Sequence, residues 1–335
     1  MLNQIFAKVD HLEPLTHENA VSLLKIDNRS DDFYRLLSKA NELSRKEYGD
    51  RGYVFAQIGL NSDPCTGKCK FCSLAKGSYA LKSDANTNAP NLQEKSEEEI
   101  LETAKNIITQ NVDALFLMTT ADYSQEKFLK IGAQVKPYMH PHMKLVANIG
   151  DFDLPMAKRL FEAGFQAVYH IVRLREGTDT DIPVEKRIKT LDAIRDAGLE
   201  LIYCVEPIGK EHTYDEIADE MIRAREYNVD IMAAMRRVCV PGTPLFEKDE
   251  ISEQELTKIV AVTRLVTRPK TSMNVHEPMK MPLLAGVNQL YAEIGSNPRD
   301  VKSDTENGRG FGILKVKQML EEAGYFVGFK NYFYK

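Results

Sequence analysis

The sequence has no long apolar run, no export leader and no excess of positive charge. No stretch approaches about 18 consecutive apolar residues, so we expect no transmembrane helix. The opening residues, MLNQIFAKVDHLEPL, lack the basic region, apolar segment and small-residue cleavage site of a secretory signal. A formal charge of -5 with no basic patch argues against nucleic-acid binding. We therefore expect a cytoplasmic protein that binds neither membranes nor nucleic acid.

Cysteine is scarce, and its distribution is uneven. The chain has five cysteines in 335 residues, and Cys65, Cys69 and Cys72 fall together in the stretch SDPCTGKCKFCSL. Thiols stay reduced inside cells, so such a group indicates a metal site or catalysis rather than disulfides. No second cysteine or histidine pair accompanies the triplet, which disfavours structural zinc because that ion usually takes four protein ligands. A redox pair of Cys69 and Cys72 would leave Cys65 without a role.

Three thiolates suit a cuboidal iron–sulfur cluster. Such a cluster normally takes four cysteines, so three leave one iron with an open coordination position. The sequence therefore predicts an iron–sulfur site that can bind a further ligand.

Short β-type runs alternate with amphipathic helical segments after a helical stretch over residues 1–50. Three pairs mark helix starts between the strands: Ser96 with Glu99, Thr213 with Glu216, and Ser252 with Glu255. The pattern predicts an α/β fold, a (β/α)8 TIM-type barrel over residues 51–335 with an N-terminal helical extension; a partial six-strand barrel is the alternative. The expected strands are 53–60, 114–119, 144–149, 167–172, 199–206, 230–236, 271–276 and 287–293.

The motif CTGKCKFC, with an aromatic residue before its last cysteine, resembles the signature of radical S-adenosylmethionine (radical SAM) enzymes. Segments such as RIKTLDAIRDAGLEL and VPGTPLFEKDE extend the likeness to the biotin-synthase-like branch, over about residues 15–325. Residues 225–325 resemble the biotin and thiamin synthesis associated region. Relatives in this branch are biotin synthase, methylornithine synthase, hydrogenase-cofactor maturases and split lipoyl synthases.

The resemblance implies cofactors and a reaction class. It implies a 4Fe-4S cluster on Cys65, Cys69 and Cys72, with Phe71 packed beside it and SAM on the open iron. Reductive cleavage of SAM would give a 5′-deoxyadenosyl radical that removes hydrogen from an unactivated carbon in cofactor biosynthesis. A ferredoxin or flavodoxin-type protein would donate the electron, and the substrate would be a small molecule or an acyl chain bound to a carrier protein.

The sequence leaves the overall reaction open. Sulfur insertion of the lipoyl or biotin type is favoured, because Cys204 lies near the end of strand five and Cys239 lies just after strand six, and both are candidates for an auxiliary cluster. The alternative reading is that both cysteines fill space in the core. The other readings are fragmentation or rearrangement of an amino-acid-like substrate, and a non-catalytic iron–sulfur protein. Orthodox biotin synthase is disfavoured, because its extra cysteines on strands two and three are replaced by Met118 and Ala147.

Polar residues at other strand ends are candidates for SAM contacts. By resemblance to the hydrogenase maturases, Arg173, Arg175 and Glu176 after strand four would contact the carboxylate and ribose of SAM, although a solvated loop of paired charges is the alternative. Thr119 and Asp122, where strand two ends, could accept hydrogen bonds from the SAM amino group. Glu206, at the end of strand five, could reach into the barrel. In chain order these candidates are Thr119, Asp122, Arg173, Arg175, Glu176 and Glu206.

Four further residues are candidates for substrate contact. His170 and the pair His276 and Glu277 lie near strand ends, where barrel enzymes place polar groups. Arg299 follows strand eight and could hold an anionic substrate. A structural histidine and an Asn-Pro turn are the alternative readings of these positions.

Overall fold

The computed structural model describes residues 1–76, 94–293 and 310–328. Eight parallel strands form a barrel, and every neighbouring pair is parallel. The strands are β1 Arg51–Gly59, β2 Ala114–Met118, β3 Lys144–Asn148, β4 Ala167–Tyr169, β5 Glu200–Ile208, β6 Ile231–Arg236, β7 Ser272–His276 and β8 Gln289–Glu293.

The barrel is closed by β1, which pairs with β2 on one side and β8 on the other. The predicted (β/α)8 architecture is therefore confirmed, and the partial six-strand barrel is wrong. A ninth strand, β9 Phe326–Val327, pairs with the first two residues of β1. It was not predicted because two residues carry no periodicity that could mark them as a strand.

Helices surround the barrel and precede it. The first three lie before β1, and α3 packs against α9. Among the described residues, no helix is both long and apolar enough to cross a bilayer. The helices are α1 Leu2–Asp10, α2 His17–Leu24, α3 Asp31–Tyr48, α4 Glu97–Thr109, α5 Gln125–Val135, α6 Leu154–Glu162, α7 Val184–Asp196, α8 Tyr214–Glu226, α9 Glu253–Thr267 and α10 Ile313–Glu322.

The predicted helix starts carry their expected caps. The hydroxyls of Ser96, Thr213 and Ser252 each accept the N–H three residues further along. Of these three, Thr213 alone forms the complete capping box, because Glu216 also accepts the Thr213 N–H. The strand bounds differ from expectation by up to three residues: β4 ends at Tyr169, three residues early, and β5 continues through a register shift to Ile208.

The barrel interior is filled at its middle level by aromatic rings. Phe55, Phe116 and Tyr291 contact one another, with ring centroids 5.0 to 5.8 Å apart. Aliphatic side chains from β3, β4, β5 and β6 complete this layer. Because the layer closes the centre of the barrel, the open space lies above it, at the carboxyl ends of the strands.

Candidate active site

A cavity opens at the carboxyl end of the barrel. All three clustered cysteines line it, and so do side chains that follow the other strands. Most of its walls come from strand ends, which is where barrel enzymes place their chemistry. Among its lining residues are Gln57, Cys65, Cys69, Phe71, Cys72, Met118, Thr119, Asn148, Tyr169, Arg173, Arg187, Glu206, Met235, Arg237, His276, Glu277, Tyr291 and Glu293.

The cysteine loop after β1 is closed by its own main chain. The Cys65 N–H donates to the carbonyl of Leu74 at 2.8 Å, and the Lys76 N–H donates to the carbonyl of Cys65 at 2.8 Å. A turn joins Cys69 to Cys72, whose N–H donates to the Cys69 carbonyl at 3.1 Å. This folding brings three half-buried thiols to one wall of the cavity.

Two neighbouring loops brace the cysteine loop. Both carboxylate oxygens of Asp122, after β2, accept from Thr66, one from its N–H at 2.7 Å and one from its hydroxyl. Asp179, after β4, accepts the Lys70 N–H on its carbonyl at 2.9 Å and the Lys70 ammonium on its carboxylate at 3.2 Å. Asp122 therefore supports the loop from outside and does not line the cavity.

The charge of Arg173 favours the thiolate form of Cys69, whereas burial disfavours it. Burial raises the pKa of Cys69 to about 11, and the nearby Arg173 guanidinium opposes that rise. A metal that binds there must displace the thiol protons, since thiolates are the ligands. Three soft sulfur donors on a cavity wall, with space left beside them, fit an iron–sulfur cluster that keeps one iron open.

Arg173 lines the cavity and lies between two carboxylates. Its guanidinium nitrogens are 3.6 Å from Glu176 and 3.9 Å from Glu206. Burial would lower the pKa of Arg173, but the Cys69 thiolate and Glu176 outweigh it, so the pKa is raised and the side chain stays charged. Arg173 and Glu206 are thus placed where SAM contacts are expected.

Glu176 lies behind the cavity wall rather than in it. Its side chain is fully buried. Its carboxylate accepts from the Arg173 N–H at 3.0 Å, from the Thr180 hydroxyl at 2.5 Å and from Arg187 Nε at 3.2 Å. The structure therefore places Glu176 as the anchor of two cavity-lining arginines.

Arg187 on α7 is a cavity residue that the sequence analysis missed. It donates to Glu176 and, through Nη1, to Asp151 at 3.2 Å. A signal was present in the sequence, because Arg187 occupies the apolar stripe of its helix, four residues before Leu191 and seven before Ile194. An arginine in such a position must be buried with a partner.

Arg175 and His170 lie outside the cavity lining. Arg175 turns away and donates from Nε to Glu216 at 2.7 Å and from Nη2 to the carbonyl of Glu211 at 2.6 Å. His170 is buried, with Nε2 3.4 Å from Asp151 Oδ1. Burial lowers the pKa of His170 to about 4, although Asp151 opposes the change.

Of the remaining sequence candidates, three line the cavity and one lies outside the described residues. Thr119, His276 and Glu277 line it, and the His276 ring stacks on Tyr291 with centroids 4.8 Å apart. Arg299 lies outside the described residues.

The two isolated cysteines are in different environments. Cys204 is fully buried on β5, where Tyr169 and Glu206 are its polar neighbours. Cys239 follows β6 and lies near Glu250, Arg237 and Asp249. The register places Cys204 beside Ala233, six residues before Cys239. The two thiols therefore have different polar neighbours.

Arg237, the residue that follows β6, is a second arginine missed from the sequence. Its side chain is buried, and it donates to Glu211 and to the carbonyl of Asp249. The guanidinium packs on Gly209, where a Cβ would lie 2.2 Å from Nη1. A glycine is therefore required at position 209 for this contact.

Comparisons with known proteins identify relatives along the whole chain. No model of a protein family matches it. It is 27% identical over 328 residues to the biotin synthase of Clostridioides difficile (strain 630), covering 95% of this chain and 96% of that protein. It is 28% identical over 266 residues to the biotin synthase of Acetivibrio thermocellus, covering 77% of this chain and 79% of the relative.

Two solved structures share the fold. The structure of methylornithine synthase (PylB) superposes with a TM-score of 0.77 at 19% identity, covering 97% of both chains. The structure of HydG, a maturase of the FeFe-hydrogenase, gives a TM-score of 0.78 at 15% identity, covering 97% of this chain and 75% of HydG. These likenesses concern the barrel and the extension that precedes it.

Proposed function

We propose that this chain is a radical SAM enzyme of the biotin-synthase-like branch, that Cys65, Cys69 and Cys72 hold a 4Fe-4S cluster and that the adjoining cavity binds SAM. When bound and reduced by an external donor, the cluster would supply one electron to the SAM sulfonium, and breakage of the sulfur–C5′ bond would give methionine and a 5′-deoxyadenosyl radical. The enzyme would use that radical to take hydrogen from a small molecule in cofactor biosynthesis. The observation that carries the proposal is the presence of all three thiols on one cavity wall beside a charged arginine.

The residues around the thiols have separate tasks in this proposal. Arg173 binds the SAM carboxylate, since a guanidinium forms paired hydrogen bonds with a carboxylate. Glu176 fixes the position of Arg173 and Arg187 from behind. Glu206 and Thr119 offer oxygen acceptors for the SAM hydroxyls and ammonium, and Phe71 packs beside the cluster.

We also propose that the reaction needs only one cluster. Sulfur insertion requires a sulfide that can be given up, and the favoured source in the sequence was an auxiliary cluster on Cys204 and Cys239. Their different surroundings favour instead a fragmentation or rearrangement that starts from the substrate radical. His276, Glu277 and, beyond the described residues, Arg299 are the candidates for holding the substrate. A ferredoxin or flavodoxin-type protein would supply the electron.

Electron paramagnetic resonance of the reconstituted protein tests the cluster and the SAM site together. The dithionite-reduced protein should give the signal of a 4Fe-4S cluster, and added SAM should change its g-values because SAM binds the open iron. The variant Cys69→Ala is the matched control and should give no such signal. A full cluster signal that SAM leaves unchanged would favour the non-catalytic iron–sulfur protein.

A further inference from the structure

The loop after β4 is hydrogen-bonded to the cysteine loop on both sides of Cys69. The Asp181 N–H donates to the carbonyl of Gly67 at 2.9 Å, and the Lys70 N–H donates to the carbonyl of Asp179 at 2.9 Å. The Cys69 sulfur lies 3.9 Å from the same Gly67 carbonyl oxygen. The position of Cys69 relative to the loop after β4 is therefore held by bonds one and two residues away from it.

Arg173 extends from the loop after β4 into the cavity that the thiols line. Its N–H donates to the Glu176 carboxylate at 3.0 Å, and the N–H of the next residue, Leu174, donates to the carbonyl of Glu206 at 2.9 Å. Its guanidinium nitrogens lie 3.6 Å from Glu176 and 3.9 Å from Glu206. The main chain and the side chain of Arg173 are thus both held, and its charge has a defined place.

Two charges of opposite sign from this loop act on Cys69. Burial raises the pKa of the Cys69 thiol, and among the charged groups Arg173 opposes that rise most strongly. Glu176 acts in the opposite direction and with a smaller effect than Arg173. Because Glu176 lies behind the cavity wall, the positive end of the Arg173–Glu176 pair faces the thiols.

Water screens these two charges poorly. The side chain of Glu176 is 0% exposed and that of Arg173 is 23% exposed, so the dielectric constant around them is low and their charges act strongly on neighbours. Arg187 also lines the cavity, but its nitrogens lie 3.2 Å from the carboxylates of both Glu176 and Asp151. Its charge is therefore offset more closely than that of Arg173.

A fixed charge beside an iron–sulfur cluster changes the reduction potential of the cluster. Reduction adds one negative charge, so a positive neighbour favours the reduced form and a negative neighbour favours the oxidised form. Cys69 is one of the three ligands in the proposed function. A charge that acts on its sulfur therefore also acts on the cluster.

We propose that Arg173 and Glu176 together set the reduction potential of the cluster, with Arg173 raising it and Glu176 lowering it. This inference rests on the proposed function for the presence of the cluster. It concerns the step in which the cluster accepts an electron from the external donor, before any electron passes to SAM. Arg173 makes that step easier, which is a task separate from binding a carboxylate.

Potentiometric titration of the reconstituted protein without SAM, followed by electron paramagnetic resonance of the reduced cluster, tests the proposal. Arg173→Met should shift the midpoint potential to more negative values. At the wild-type midpoint, the ratio of reduced to oxidised cluster should then be about tenfold lower. Glu176→Gln should shift the potential in the opposite direction, which a general loosening of the loop would not do.

Two further variants serve as controls. Arg173→Lys keeps the charge and should stay closer to the wild-type potential than Arg173→Met, which decides the matter if Glu176→Gln does not fold. Arg175→Met removes the same charge from the same loop, but Arg175 donates to Glu216 and to the carbonyl of Glu211 outside the cavity. It should therefore leave the potential unchanged.

Equal potentials in the wild type and Arg173→Met would overturn the proposal, and so would shifts of the same sign in Arg173→Met and Glu176→Gln. A wild-type protein that forms no cluster would overturn it together with the proposed function. The expected shifts in a protein that does not cleave SAM would contradict the proposed function alone.

Discussion

At the scale of single residues, the site combines positions that the sequence reveals and positions that it hides. Cys65, Cys69 and Cys72 were identifiable because their spacing is itself the signal. Glu176 was identified as a candidate, but its burial behind Arg173 depends on how the loop folds. Arg237 could not be found from the sequence, because its burial depends on the approach of Gly209.

Iron content tests the cysteine assignment residue by residue. Replacing Cys65, Cys69 or Cys72 by alanine removes one of three ligands, so anaerobic reconstitution should give far less than the about four irons per chain expected of the wild type. Cys204→Ala and Cys239→Ala are the controls and should keep the wild-type iron and sulfide counts. A lower count in either control would indicate that an auxiliary cluster is present.

His170 should make the protein less stable in mild acid. In the unfolded chain it takes up a proton near its ordinary pKa of 6.5, but in the folded protein burial lowers that pKa to about 4. The unfolded state therefore binds more protons in this window, and stability falls as the pH drops through it. Between pH 6.5 and 5.0 the loss is about 1.5 kcal/mol.

Urea unfolding at these two pH values measures the effect. His170→Asn should lack this part of the pH dependence, and the exposed His11→Asn should keep it. If wild type and His170→Asn lose equal stability between the two pH values, His170 is not the buried neutral group described here.

At the scale of elements, hydrogen bonds join three loops around the thiols. The cysteine loop is bonded to the loop after β2 through Asp122, and to the loop after β4 through Asp179. The alternation of strands and helices predicted where these loops lie, but it could not predict which charged side chains join them. That choice depends on the geometry of the closed barrel.

Asp179→Ala should loosen the cysteine loop. Asp179 is buried and binds the Lys70 ammonium, so its removal should lower the free energy of unfolding by about 1–2 kcal/mol. It should also reduce the iron bound on reconstitution. The control is Asp181→Ala, because Asp181 forms an exposed pair with Lys68 and such pairs contribute less than about 1 kcal/mol. Equal effects of the two substitutions on stability and iron content would contradict the role of Asp179 in holding the cysteine loop in place.

At the scale of the whole molecule, the barrel is one closed structure. Residues 225–325 were expected to belong to the barrel and to resemble the biotin and thiamin synthesis associated region. Within this stretch, β6, β7 and β8 complete the barrel begun by β1. We propose that residues from β1 onward fold together, with the first three helices as an extension that packs against α8 and α9.

A chain that ends at Glu226 should not fold. It would lack the three closing strands and leave one edge of β1 and one edge of β5 unpaired. Circular dichroism should show no cooperative urea transition for it, whereas the full chain should unfold cooperatively. A cooperative transition in the shortened chain would show that the first five strands are an independent domain.

The central claim is that the three thiols support radical chemistry on SAM. The most direct measurement is the formation of 5′-deoxyadenosine and methionine by the anaerobically reconstituted, dithionite-reduced protein, with Cys69→Ala as the control. We predict both products from the wild type and neither from the variant. Wild-type protein that carries about four irons per chain and yet forms no 5′-deoxyadenosine would contradict the account.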